Sequence, residues 1–294
     1  MRVILMIAAA LAALPLAGLS GVYALSEARL RDVSRGPAFS APIPTDAASI
    51  EHGRHVARTR GCFGCHGQKL QGWNFDEQWD WPERAVAPNL ARYARENDVA
   101  TIEAAVRQGI GRNGRALMSM PSFNFRRLTD EDMAALIAFL KSAPVVEAQL
   151  PTPKLGWAAR WGVVTGAEPR VPDWVAVVPE LAVDPIGDRQ RAAGEYLAMT
   201  MCNECHGLDV RGQWFYMPPT PDLGAVVPTY SRAAFETLIE TGISADGREL
   251  GLMRLVAPDR FPSLTDAEVD ALYAYLTSLA AAPVANAVKW RPAQ

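Results

Sequence analysis

The sequence has few cysteines and no surplus of positive charge. All four cysteines fall in two short motifs, so none is left for a disulfide. Lysine and arginine number 29 against 32 aspartates and glutamates, a net charge of -3, which argues against a nucleic-acid partner. No alternating apolar and polar run of useful length occurs, which disfavours β-strands. The predicted fold class is therefore all-α.

The two cysteine motifs share the form Cys-x-x-Cys-His and lie 140 residues apart. Two thiols at this spacing add to the two vinyl groups of one porphyrin, and the adjoining histidine reaches the iron, so each motif predicts one covalently attached haem c. A zinc site needs four ligands where each motif offers three, and a thioredoxin-like pair lacks the histidine. The predicted residues are Cys62, Cys65 and His66 in the first motif and Cys202, Cys205 and His206 in the second.

The N-terminus predicts export. Haem attachment of this kind normally takes place outside an energy-transducing membrane, so we expect a bacterial periplasm or its equivalent. Residues 3–25 are uncharged. Two interpretations stay open: a retained transmembrane anchor on the periplasmic face of the inner membrane, which the length favours, and a signal peptide whose cleavage leaves a soluble periplasmic protein.

An internal repeat extends well beyond the two haem motifs. The segment Gly109–Met120 matches Gly242–Met253 without a gap, and Leu128–Leu140 pairs with Leu264–Leu276. Self-similarity over such a length indicates one helical domain written twice.

Each copy of the repeat predicts three helices. A first helix runs into the haem motif, a middle helix ends at a glycine, and a closing helix follows a threonine cap with an apolar stripe at helical spacing. A glycine in the first helix is expected to let the closing helix approach closely. The positions are Ala47, Gly53, Gly109 and Thr129 in the first copy and Arg189, Gly194, Gly242 and Thr265 in the second.

These patterns divide the chain into six segments: 1–28 (anchor or signal), 29–46 (linker), 47–142 (first domain), 143–185 (Pro-rich connector), 186–282 (second domain) and 283–294 (tail). The connector has little periodicity and predicts an extended segment. Because a solvated linker has no need of large aromatic rings, we expect it to lie across both domains and bury Trp157, Trp161 and Trp174.

On these motifs the chain resembles a di-haem cytochrome c made of two class I cytochrome c domains. The resemblance covers both repeats and implies two covalently bound haem c groups. It implies that the motif histidine is the proximal iron ligand and that a methionine ahead of the closing helix is the distal one. The pairs are then His66 with Met120, and His206 with Met253.

The resemblance also places a proline carbonyl against each proximal imidazole. Here those prolines are Pro88 and Pro221, each two residues before a leucine. Such a hydrogen bond would orient the ring and set its basicity.

Alternative iron ligands are few. Met118 competes with Met120 for the first haem, but the repeat aligns Met118 with a glycine and Met120 with a methionine. The remaining histidines, His52 and His55, lie early in the first helix, where a solvated or hydrogen-bonded role is expected instead of ligation.

Further polar and aromatic residues allow two interpretations each. Trp73, Trp79 and Trp81 in the longer first haem loop either wall the haem pocket or, with their acidic neighbours, dock a basic partner. The arginines near the glycine turns are candidates for haem propionates, or simply surface residues: Arg112, Arg115 and Arg248.

The resemblance implies a carrier of single electrons between a membrane or periplasmic redox enzyme and a downstream acceptor. An imidazole and a thioether would fill both axial positions of each iron and leave no place for a substrate. Expected partners are an exported dehydrogenase, a quinone-linked complex or a terminal oxidase. The alternative is a di-haem oxidoreductase, peroxidase-like or acting on a sulfur compound, with one haem as the catalytic centre.

Overall fold

The structure is a computed structural model that describes residues 2–75, 83–213 and 220–281, with side chains described from Leu14 onward. The N-terminal helix α1 spans Arg2–Arg31. The helices of the first repeat, which we call the first module, are α2 (Ala47–Thr59), α3 (Cys62–His66), α4 (Leu90–Glu96), α5 (Val99–Glu103), α6 (Ser122–Phe125) and α7 (Asp130–Ser142), with a π-helical turn at Ala104–Gln108.

The second module follows two connector helices. The connector contains α8 (Trp157–Thr165) and α9 (Val171–Ala176). The second module comprises α10 (Arg189–Met201), α11 (Asn203–His206), α12 (Leu223–Val226), α13 (Arg232–Thr241), α14 (Leu252–Arg260) and α15 (Asp266–Ser278), with 3₁₀ turns at Val227–Thr229, Phe261–Ser263 and Leu279–Ala281.

The described part of the chain is mainly helical, with four strands of two residues each. Strand β1 (Trp73–Asn74) pairs antiparallel with β3 (Val86–Ala87), and β2 (Glu83–Arg84) pairs antiparallel with β4 (Lys154–Leu155). The first pair closes the loop after the first haem motif, and the second ties the connector to that loop.

The first and closing helices form the tightest contact in each module. A Cβ at Gly53 would lie 2.0 Å from the carbonyl oxygen of Ala135, and one at Gly194 would lie 2.0 Å from that of Ala271. The predicted close approach of α2 to α7 and of α10 to α15 is therefore confirmed. Only glycine permits backbone contact at this separation.

Helix ends follow the predicted signals. Thr129 accepts a hydrogen bond from the N–H of Asp132 at the start of α7, and Thr265 forms a complete capping box with Glu268 at the start of α15. Gly109 and Gly242 both end their helices in the left-handed conformation, with φ of 71° and 68°. These caps set where the closing helices start and where the methionine segments leave the middle helices.

The connector is folded, which corrects the prediction of an extended segment. Helix α8 packs on α1 through Ala159, Arg160 and Val163, and Arg160 bonds Glu27 at 2.9 Å. Trp157 and Trp161 are therefore on the outer side of α8, 50% and 59% exposed, so the expectation that they are buried was wrong. Trp174 on α9 is partly buried and packs with Phe123 of the first module and Leu208 of the second, as expected of a connector that lies across both. The buried side of α8 is the one on which Arg160 pairs with Glu27 of α1.

The N-terminal helix is not interrupted at Pro15, and its C-terminal end packs against the rest of the protein. Leu30 is 1% exposed and lies in a small cluster with Ala116 and Val163. Among the helices that the structure describes, none combines the length with the apolar character required to cross a bilayer. The predicted anchor stays a prediction, and the tail 283–294 lies outside the described residues.

Candidate haem-attachment sites

The two cysteine motifs each form one short helical turn at the end of the module's first helix. All four cysteines are free thiols and partly buried. Burial raises the pKa of Cys62 and of Cys202 to about 12, and that of Cys65 to about 11. These thiols are neutral at pH 7, and they lie at the spacing needed to join two points of one porphyrin.

Each motif histidine is held by the predicted proline carbonyl. His66 Nδ1 lies 2.8 Å from the oxygen of Pro88, and His206 Nδ1 lies 2.9 Å from that of Pro221. A carbonyl only accepts hydrogen bonds, so Nδ1 carries the proton and Nε2 keeps its lone pair. Nε2 is thus the nitrogen able to bind iron in both modules.

Burial keeps both imidazoles neutral. It lowers the pKa of His66 to about 4 and lowers that of His206, although the hydrogen bonds to the proline carbonyls act in the opposite direction. A neutral imidazole is the form that coordinates a metal.

The loop after each histidine repeats almost bond for bond. The N–H of Gly72 donates to the carbonyl of His66 at 2.7 Å, and that of Gly212 donates to the carbonyl of His206 at 2.7 Å. Val210 takes a φ of 56°, which is rare for a β-branched residue, and its counterpart Leu70 has 57°. These loops turn the chain so that each proline carbonyl faces its imidazole.

The two methionines predicted as distal ligands are partly buried against the cores of their modules. Met120 packs on the core built from α2, α4 and α7, and Met253 packs on the core built from α10, α13 and α15. Met118 instead packs with Leu30, away from the core of the first module. The structure thus separates Met118 from Met120 in the way that the repeat predicts.

Two buried asparagines carry orphaned polar atoms that suit a bound group. The amide nitrogens and oxygens of Asn124 and Asn203 have no hydrogen-bond partner in the described part of the chain, and both side chains are 0% exposed. Each such group costs about 1–3 kcal/mol if it stays unsatisfied. Asn203 lies inside the second motif and Asn124 four residues after Met120, so the polar atoms of haem c would fit there. Sequence reasoning missed both, although their positions beside the motifs were a signal.

The other two histidines are hydrogen-bonded to carboxylates. His52 Nε2 lies 2.6 Å from Asp132, and His55 Nε2 lies 2.8 Å from Glu268 of the second module. The hydrogen-bonded role expected for both is therefore present. Tyr196 donates to Asp132 from the second module.

This contact between modules is reciprocal. His55 and Tyr196 each lie two residues after the close-approach glycine of their helix. Each binds the carboxylate at the third residue of the other module's closing helix, Glu268 or Asp132. In the same way, α6 contacts α10 and α11, and α14 contacts α2 and α3. Each haem motif therefore lies against the segment that follows the other module's methionine.

The arginines considered for haem propionates have carboxylate partners. Arg115 bonds Glu27 at 2.9 Å, and Arg248 bonds Asp246 at 2.6 Å. Arg112 lies 3.5 Å from Glu96. Of the tryptophans in the first haem loop, Trp73 is 48% exposed, while Trp79 and Trp81 lie outside the described residues.

Comparison with known proteins places both modules in one family. The cytochrome c family model matches residues 50–144 and 191–280. One subunit of the nicotinate dehydrogenase of Pseudomonas putida is 27% identical over 276 residues, which are 84% of this chain and 22% of that protein. The fructose dehydrogenase cytochrome subunit of Gluconobacter japonicus is 24% identical over 284 residues, 85% of this chain and 56% of the relative.

A third relative is the cytochrome c subunit of alcohol dehydrogenase (quinone) from Gluconobacter oxydans, 29% identical over 174 residues, 55% of this chain and 35% of the relative. The chain therefore spans from about a fifth to just over half of the length of these relatives. The family match covers more than half of the chain and includes both Cys-x-x-Cys-His motifs and both methionine segments, and so the chain belongs to the cytochrome c family.

Proposed function

We propose that this protein is a di-haem electron carrier that passes single electrons from a redox enzyme to a downstream acceptor. The observation that carries the proposal is the duplicated site: a thiol pair, an imidazole fixed by a proline carbonyl, and a methionine against the same core, present in both modules. We take the modules as domains 47–142 and 186–282.

The residues would divide the work as follows. Cys62 and Cys65 would hold the first haem c and Cys202 and Cys205 the second, through thioether bonds. When bound, each haem supplies a one-electron Fe(III)/Fe(II) couple, so the electron received from the donor is the one given to the acceptor, and no substrate bond changes. The iron ligands would be His66 with Met120 and His206 with Met253.

The chain's own contribution is to orient the ligands and to exclude water. The Pro88 carbonyl fixes the ring of His66 and increases its basicity, and Pro221 does the same for His206. The loops behind the imidazoles are turns closed by backbone hydrogen bonds, so oxidation and reduction would need little movement of the protein. Little movement favours rapid electron exchange.

The relatives suggest the class of partner. Those proteins are a subunit of nicotinate dehydrogenase and cytochrome subunits of fructose dehydrogenase and of a quinone-linked alcohol dehydrogenase. We propose that the donor is an exported dehydrogenase and that the acceptor belongs to a quinone-linked or terminal-oxidase system. Purifying the full chain from its own membranes and identifying the proteins that co-purify with it tests this: recovery of a dehydrogenase subunit supports it, and recovery of the chain alone contradicts it.

The ligand assignment is tested with matched methionine variants. Met120→Ala and Met253→Ala should each remove the near-infrared methionine–iron band of one haem and allow the reduced protein to bind carbon monoxide at that haem. Met118→Ala changes the same residue type two positions from Met120 and should leave the spectrum unchanged. Unchanged spectra in both ligand variants would contradict the assignment. Rapid stoichiometric carbon monoxide binding by the unmodified protein would favour the enzyme alternative.

We further propose that the N-terminal segment 3–25 holds the protein at the periplasmic face of the inner membrane. The support is the uncharged run 3–25, together with Trp157 and Trp161, which are exposed on the helix that packs on the end of α1. Tryptophan favours the boundary between lipid and water. Mass measurement of the mature protein and carbonate washing of membranes test this. A mature chain lacking residues 1–24 and free in the periplasm would contradict it.

A further inference from the structure

One buried cation touches both haem-attachment motifs. Arg260, at the end of α14 in the second module, is 8% exposed. Its Nη1 lies 3.2 Å from Glu204, between Cys202 and Cys205 of the second motif. A Cβ at Gly61, the residue before Cys62, would lie 2.4 Å from the guanidinium carbon. The side chain therefore rests directly on the backbone that leads into the first motif while pairing with the second.

The field of Arg260 reaches both thiol pairs. In all four cysteines burial dominates and raises the pKa, and the Arg260 charge acts in the opposite direction. In the protein with attached haems these sulfurs become thioethers at the ring edges. The same fixed charge would then lie beside the edges of both haems.

The local sequence makes room for this residue. Gly61 has a φ of 81° and lacks a side chain, so the guanidinium can lie against its main chain. The other side of the interface differs: Arg127, which follows Met120 at the same distance as Arg260 follows Met253, donates instead to the carbonyl of Met199 at 3.3 Å. The arrangement around Arg260 is thus a feature of one side of the interface.

One carboxylate opposes this charge at two of the four sulfurs. Glu204 outweighs Arg260 at Cys65 and Cys205, whereas at Cys62 and Cys202 Arg260 acts without it. Asp259 is offset by Arg58, whose Nη1 lies 3.3 Å from it. A second buried arginine, Arg60, is 3% exposed and adds to the positive field at Cys62 and Cys202. A buried positive charge stabilises the reduced iron, which carries one positive charge less than the oxidised form.

We propose that Arg260 is a positioning residue shared by the two haem-attachment motifs, which fixes their contact and raises the reduction potentials of both haems together. The inference rests on the proposed function, because it requires a haem at each motif. It assigns to one side chain a role at two redox centres, where each centre would otherwise be tuned by its own module.

Redox titration of the full-length protein, followed by visible absorption, tests the inference. Arg260→Met should favour oxidation of both haems. The equilibrium constant for reduction of each haem should fall by at least about threefold. Arg260→Lys retains the charge and should stay closer to the parent protein at both haems. A shift confined to one haem would show that the residue is not shared, and an equal fall in the lysine variant would show that the charge is not what matters.

A matched control removes an arginine from the same module without touching the motifs. Arg191 is half exposed and lies in the first turn of α10, 11 residues before Cys202. That separation is roughly 16 Å along a helix, about two Debye lengths at physiological salt. Arg191→Met should leave both potentials unchanged, and a fall equal to that of Arg260→Met would overturn the inference.

The failure of this inference can be told from failure of the proposed function. Haem content is measured first, and fewer than two haems per unmodified chain would overturn the function and the inference together. If two haems are present and Arg260→Met leaves both potentials unchanged, only the inference about Arg260 is refuted. Should Arg260→Met not accumulate with two haems, Arg260→Gln gives the decisive measurement, because it keeps a polar side chain at this buried position without the charge. It should lower both potentials, and no fall at the first haem would refute the sharing.

Discussion

The close-approach glycine of each module gives the most direct test of the packing. Replacing Gly53 with alanine would place a Cβ 2.0 Å from the carbonyl oxygen of Ala135 and 2.9 Å from Cβ of Phe139. Contacts of this type essentially never fall below 3.0 Å. The oxygen belongs to the backbone of α7 and cannot rotate away, so α2 and α7 would have to separate by about 1 Å or more.

The expected cost follows from two opposing terms. Alanine favours a helix over glycine by about 1 kcal/mol, which alone would stabilise the variant. Forcing extra atoms into a close-packed contact costs typically about 1–3 kcal/mol or more, and a rigid backbone neighbour puts this site at the upper end. We expect Gly53→Ala to lower the free energy of unfolding by about 2 kcal/mol, or the melting temperature of the module by roughly 8–16 °C.

The measurement is guanidinium or thermal unfolding of the protein with its haems attached, followed by circular dichroism. Gly194→Ala should give a similar loss, because a Cβ there would also lie 2.0 Å from a carbonyl oxygen. The control is Gly64→Ala, where, within the described part of the chain, a Cβ would meet only the carboxylate of Asp259 at 3.9 Å. Equal stability of Gly53→Ala and Gly64→Ala would refute the argument that the backbone contact requires glycine.

The interface between the modules gives two further predictions. Burial would raise the pKa of Glu268, but hydrogen bonds from His55 and from the N–H of Thr265 lower it to about 2, so its stabilising effect is present above about pH 4.5 and is lost as the pH falls towards 2. Glu268→Gln should therefore flatten the acid side of a stability-against-pH curve, and an unchanged slope would contradict this. Tyr196→Phe should cost about 1–3 kcal/mol of unfolding free energy by removing the hydrogen bond to Asp132, and a double-mutant cycle with Asp132→Asn should give a coupling energy clearly above zero.

The sequence predicted the elements whose cause is local. The threonine caps begin α7 and α15 as expected, since a side-chain oxygen three residues before a free N–H acts within one turn. The contact from His66 to the Pro88 carbonyl spans 22 residues, and it was predicted only through the family resemblance, which places a proline there. Interactions between residues a few positions apart can be predicted from a single sequence.

The connector shows where such reasoning fails. Its prolines lie between helices or in the first turn of α9, where Pro172 needs no N–H donor, so they did not prevent α8 and α9 from forming. The tryptophans suggested burial from their size alone, but Arg160 was the side chain that α8 turned towards α1. Only the partner helix decides which side of α8 is covered, and a single-sequence pattern does not contain that partner.

The interface between the modules was not predicted, for a related reason. This interface explains why the two modules are alike in fold but differ in the side chains at equivalent positions. A reciprocal contact places the same position of each module in the same environment, as in the self-complementary interface of a symmetric dimer. His55 and Tyr196 occupy such equivalent positions with an imidazole on one side and a phenol on the other. Linking two copies in one chain removes the requirement that both sides change together. One side can then acquire a glycine such as Gly61 and the arginine that packs on it, while the other keeps Arg127 on a carbonyl. An asymmetric charge between two similar haem-attachment motifs is available to a duplicated chain and not to a symmetric dimer.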